Sequence, residues 1–166
     1  MTRRVLLRLP LALLMLILVA GPAAAAGPNR VFVAPLWGRQ EVPSVQTRSV
    51  GLALFKLNSE ETEMKYALIV AKGDDVTQAH IHCGAPGVNG PVVVFLYGLG
   101  PTVDVNGILA TGVITAGSVI PRPDSPACPG GVADLADVLQ KMRSGEAYAN
   151  VHTVEFPGGE IRGKIF

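Results

Sequence analysis

Past the first 26 residues, polar and apolar positions alternate with period two along most of the chain. "NRVFVAPLW" opens the pattern, and "RSVGLALFKLN" places Val50, Leu52, Leu54 and Lys56 on one side. "EMKYALIVAKG" reads as a strand closed by Gly73, and "VTQAHIHCG" as a second one ended by Gly84. "PVVVFLYG" is a continuous apolar run, which predicts a strand buried on both faces. "NGILATGVIT" is a further strand entered through Asn106-Gly107. "EAYANVHTVEF" and "GEIRGKIF" form a hairpin around Pro157-Gly158-Gly159, residues suited to a tight turn.

One segment departs from this period. "GGVADLADVLQKMRSG" spaces Val132, Leu135, Leu139 and Met142 three to four residues apart, the apolar stripe of a helix over about 132–143. Gly145 is its expected stop. The four-proline stretch "SVIPRPDSPACPGG" before it reads as an irregular loop. Short strands with glycine and proline turns and a single helix predict an all-β fold, an antiparallel sandwich or barrel.

The N-terminus sets the expected compartment. Arg3, Arg4 and Arg8 precede an apolar run from Leu9 to Ala20, and "GPAAAAG" offers small residues for cleavage after Ala26. Residues 1–26 therefore read as a signal peptide and 27–166 as one domain. The stretch is too short for a retained span, since a membrane helix needs about 20 apolar residues. The paired arginines leave both the general secretory and the twin-arginine routes open. Cleavage removes three of the 14 basic residues and none of the 13 acidic ones, leaving a formal charge of −2. With no basic run, nucleic acid and anionic membrane are not expected partners. An extracellular protein or a small ligand is. The expected location is secreted or periplasmic.

Compartment decides how the two cysteines are read. In an oxidising space, Cys83 and Cys128 read first as one disulfide, worth about 4 kcal/mol on the chain-entropy model. The competing reading makes Cys83 a metal ligand. It is the weaker one, because Cys83 points away from both neighbouring histidines on a strand.

All three histidines, His80, His82 and His152, fall in two strands. In "AHIHC", Ala79, Ile81 and Cys83 take the core face, which leaves His80 and His82 on the outer face about 7 Å apart. In "YANVHT", Tyr148, Asn150 and His152 share one face. Placed side by side, the two strands would bring three imidazoles onto one copper or zinc ion, with a coordination position left open. Glu160 or Glu155 would supply a carboxylate, and Asn150 and Tyr148 the outer hydrogen bonds. The plain alternative is a pair of histidines bonded to the backbone of a covering loop, "GAPGVNG" or the proline-rich one. Arg162 shares a face with Glu160 and is expected either to pair with it or to anchor a ligand carboxylate.

The remaining candidates carry little chemistry. There is no G-x-S-x-G, P-loop or HExxH, so nothing points to an enzyme of those classes. Asp74-Asp75 reads as a solvated turn rather than a calcium site, and Trp37 as a core residue.

"AHIHCGAPGVNGPVVVFLYG", "GEAYANVHTVEFPGGEIRGKI" and the opening "GRQEVPSVQTRSVGLALFKLN" together resemble the CHRD (chordin) domain family over about residues 30–166. The resemblance implies an immunoglobulin-like or superoxide-dismutase-like β fold. It also implies an extracellular binding or interaction module, a single-domain secreted member of the bacterial type; in animals the domain is found in chordin, an extracellular antagonist. Cys83 departs from the family, where a small residue is expected. A dismutase-type copper–zinc pair needs more ligands than three histidines provide, so at most a mononuclear centre with a redox or carrier role is expected.

Overall fold

The computed structural model describes residues 29–98 and 100–166. The signal peptide expected over 1–26 lies outside these residues. Among the described residues alternation produces seven strands: β1 (Val31–Trp37), β2 (Val50–Leu57), β3 (Met64–Cys83), β4 (Val92–Tyr97), β5 (Val103–Ile114), β6 (Ala147–Thr153) and β7 (Ile161–Lys164). One helix, α1 (Leu135–Ser144), precedes β6. Every ladder is antiparallel.

Five strands close a ring in the order β1–β2–β3–β6–β7 and back to β1. The last seam pairs Trp37 with Arg162, and Val33 and Phe166 exchange backbone hydrogen bonds at 2.9 and 3.0 Å. β4 and β5 are extra strands laid on β3. Closure removes the open edges of the ring strands; of the all-β sandwich or barrel with one short helix expected from the sequence, the barrel forms.

Alternation then fills the interior. Phe32, Ala34 and Leu36 of β1, Ala53, Phe55 and Leu57 of β2, and Ala79 and Ile81 of β3 are buried in one core. The helix adds Leu135, Val138, Leu139 and Met142 to the same core. Each large side chain so buried contributes about 1.5–3 kcal/mol. The helix starts later than expected because Asp134 caps it, accepting from the Asp137 amide at 3.1 Å. Val132 lies before the cap, in a bridge with Arg122. Gly145 ends the helix as expected, in the left-handed conformation with φ 75°.

The largest difference from expectation is β3. The sequence divides it at Gly73, yet it is one strand of 20 residues. Its pairing with β5 shifts register between Val70 and Val76, where Lys72 and Asp75 have φ of 57° and 46°. The irregularity is thus absorbed inside the strand, and Asp74 and Asp75 sit exposed on it rather than in a connecting turn. Two smaller corrections follow. Trp37 is 37% exposed, with the Arg39 guanidinium 4.7 Å from its ring centroid, so it is not core. β4 is not buried on both faces, since Phe95 is 44% exposed.

Candidate metal centre

β3 and β6 are neighbours, in a register that pairs Gln78 with His152, His80 with Asn150 and His82 with Tyr148. Ala79, Ile81, Ala149 and Val151 face the barrel interior and are fully buried. The opposite side therefore carries His80, His82, Tyr148, Asn150 and His152, as the alternation requires. That side is not the exposed surface expected from the sequence. His80, His82 and His152 are only 3%, 8% and 7% exposed, because loops cover them.

Each imidazole is fixed by a different neighbour. His82 Nδ1 donates to the Gly90 carbonyl at 2.9 Å, and His152 Nδ1 donates to the Pro157 carbonyl at 3.0 Å. A carbonyl can only accept, so both rings carry their proton on Nδ1 and present Nε2 as a lone pair. His80 Nδ1 lies 3.1 Å from His152 Nε2. Phe95 of β4 abuts His80 edge-on, with ring centroids 4.5 Å apart. The "GAPGVNG" loop reaches His82 because Gly90 has no side chain: a Cβ there would lie 1.6 Å from the Cys83 carbonyl oxygen.

One ligand atom from each histidine falls within 4.8 Å of the others. Tetrahedral zinc–nitrogen bonds of about 2.0–2.1 Å put neighbouring ligand nitrogens roughly 3.3 Å apart, so the 3.1 Å His80–His152 separation is already that of a ligand edge. Burial pushes His80 down to about 3 and His82 down to about 4, and it lowers His152 as well. Neighbouring histidines add to the effect on His80, while the Gly90 carbonyl opposes it on His82. Burial thus favours the neutral form of all three rings; His80 Nε2 and His82 Nε2 are bare, while His152 Nε2 accepts from His80 Nδ1. Among the described residues, His80 Nε2, His82 Nε2 and Asn150 Oδ1 are buried with no hydrogen-bond partner.

The other expected site residues divide. Tyr148 lies flat on His82, with centroids 4.7 Å apart and 9° between planes. Its hydroxyl accepts from the Gly90 amide at 3.1 Å. Arg162 covers the far side of the Tyr148 ring at 3.4 Å, making a stack of His82, Tyr148 and Arg162. Arg162 does not pair with Glu160. It donates to Asn89 Oδ1 at 2.9 Å and to the Val88 carbonyl at 2.6 Å. Glu160 is turned to other partners, accepting from Thr47 at 2.5 Å and Ser49 at 2.7 Å. It therefore stands outside the three-histidine group, and Glu155 is exposed. Cys83 and Cys128 form the disulfide, with Cα atoms 5.4 Å apart, so Cys83 is not a ligand.

Sequence reasoning missed Glu41. Asn150 Nδ2 donates to Glu41 Oε1 at 2.6 Å. Burial raises Glu41 to about 7, against the opposing effects of Arg162 and Asn150. Glu41 follows a single 3-10 turn, Gly38–Gln40, and no periodicity marks it. Only its closeness to Pro43 in "GRQEVP" hints at a chain that bends back.

A closed antiparallel barrel with a buried three-histidine cluster on its wall defines the class of this protein. The model of the CHRD domain matches residues 32–165, and the chain belongs to the CHRD domain family. No curated protein and no solved structure matches it.

Proposed function

We propose that the protein is an exported CHRD-domain binding module in which His80, His82 and His152 hold one zinc or copper ion. The observation that carries this reading is the cluster itself: three buried, neutral imidazoles converge, and two of their nitrogens have no partner. Leaving polar atoms buried and unpaired costs about 1–3 kcal/mol each, a cost an ion removes. The carbonyls of Gly90 and Pro157 act as the outer partners that ligand histidines ordinarily have. Three imidazoles suit zinc and copper alike. The expected signal peptide, the disulfide and the family all support export.

A reading without metal has one observation in its favour, the His80–His152 hydrogen bond at 3.1 Å. Titration calorimetry separates the two. Chelator-stripped protein is titrated with Zn(II) and with Cu(II), beside the His82→Ala variant. One ion per chain, bound tighter than micromolar and lost in the variant, is the expected result. Binding no tighter than that of a surface histidine would leave a structural hydrogen-bond network, and the module's partner would then be sought among extracellular proteins.

A further inference from the structure

Two of the three histidines have an outer hydrogen-bond partner: Gly90 for His82 and Pro157 for His152. His80 has none. Its Nδ1 faces His152, and its Nε2 is buried and bare. A ligand histidine without an outer partner is unusual, because that partner fixes both tautomer and ring orientation.

The missing partner lies directly across the ladder. Asn150 pairs with His80, so their Cβ atoms stand about 5 Å apart on one face. Among the described residues, Asn150 Oδ1 is the one buried side-chain oxygen without a donor. Its amide is oriented by Glu41, which takes the Nδ2 hydrogen at 2.6 Å and leaves the oxygen for another group. The Glu41–Asn150 pair is seated on Gly159, where a Cβ would lie 2.5 Å from Asn150 Nδ2 and 2.8 Å from Glu41 Oε1. The turn whose Pro157 carbonyl holds His152 thus also makes room for the pair.

Resting on the metal reading above, we propose that Asn150 is the positioning residue for His80. An ion taken up between His80 Nδ1, His82 Nε2 and His152 Nε2 displaces the proton from His80 Nδ1. That proton moves to Nε2, so the ring stays neutral. His80 Nε2–H then donates to Asn150 Oδ1, and two unpaired atoms satisfy each other. Glu41 keeps the amide from turning its nitrogen toward the imidazole. The ligand set is consequently mixed, with one Nδ1 and two Nε2.

Long-range nitrogen–proton NMR on the zinc-loaded protein tests this directly. The expected spectrum has His80 bound through Nδ1 with its proton on Nε2, and the other two bound through Nε2. Zinc affinity provides the second arm. Asn150→Ala is expected to bind one ion with affinity lowered 10- to 100-fold. Asn150→Asp, which keeps an oxygen acceptor at the same place, is expected to recover most of the loss. Coordination of His80 through Nε2, or wild-type affinity in Asn150→Ala, overturns the assignment while leaving the metal reading intact. Absence of zinc binding in the wild type overturns both. If Asn150→Ala does not fold, the wild-type spectrum alone decides.

Discussion

Glu41→Gln is the substitution whose effect on stability should depend most on pH. The Glu41 carboxyl is buried, bonded by Asn150, and raised from 4.5 to about 7. The folded state therefore holds a proton that the unfolded chain has already released between these two values. Stability carried by the protonated form is complete below pH 4.5 and falls as pH rises to 7. At about 1.4 kcal/mol per pH unit the limiting cost is about 3 kcal/mol, and screening from the open side of the site reduces it to roughly 2. Glutamine keeps the shape and the acceptor for Asn150 but has nothing to ionise. Urea denaturation of wild type and variant at half-unit steps from pH 4 to 8 measures the difference. Contributions from the histidines are common to both proteins and cancel. The two should be nearly equal near pH 4.5, and the variant should be more stable by about 2 kcal/mol at pH 8. A difference that stays flat across the range would mean that Glu41 ionises freely, and the burial argument would be wrong.

Other perturbations have simpler signs. Reducing Cys83–Cys128, or replacing Cys128 with alanine, releases a constraint across 45 positions and should cost about 4 kcal/mol in a denaturant titration. Gly159→Ala places a Cβ against Asn150 and Glu41 at a φ of 127°, and should cost about 2–3 kcal/mol by the same assay. Gly158→Ala, which meets nothing within 4 Å, should stay within about 0.5 kcal/mol and serves as the control. Asp134→Ala removes the cap of α1 and should cost about 1 kcal/mol, read as a shift of the denaturation midpoint.

What the sequence makes legible here is what depends on neighbours along the chain. Alternation assigns Ala79, Ile81 and Cys83 to one side of β3 and the histidines to the other, and the structure keeps that division. Gly145 and the Pro157-Gly158-Gly159 turn act where their chemistry says they should. Burial of the histidine face was not legible, because its cover comes from the 84–91 and 154–160 loops and from Phe95 of β4, all placed by tertiary packing. Gly73 beside two aspartates looks like a turn, but Lys72 and Asp75 take left-handed backbone and let β3 continue. Alternation also gives Arg162 its face without its partner. Glu160 is two positions away in sequence, yet the hydroxyls of Thr47 and Ser49 claim it, and Arg162 settles on Tyr148.

If the three histidines hold an ion as proposed, their unequal anchoring has a kinetic consequence. His80 and His82 stand on β3, whose backbone is hydrogen-bonded to β6 on one ladder and to β4 on another, so freeing them would require unzipping the wall. His152 stands at the end of β6, beside a turn held by the Gly159 amide on Phe156 at 3.0 Å and the Phe156 amide on Thr153 at 3.1 Å. Opening that turn also breaks the bonds of Thr153 to Phe156, Val154 to Asp75, Glu160 to Val151 and His152 to Pro157, yet it stays more local than parting a whole ladder. An ion would therefore enter and leave past the 154–160 turn, as through a door hinged on one side. Its dissociation rate would follow the hydrogen-exchange rate of those turn amides rather than the global unfolding of the barrel.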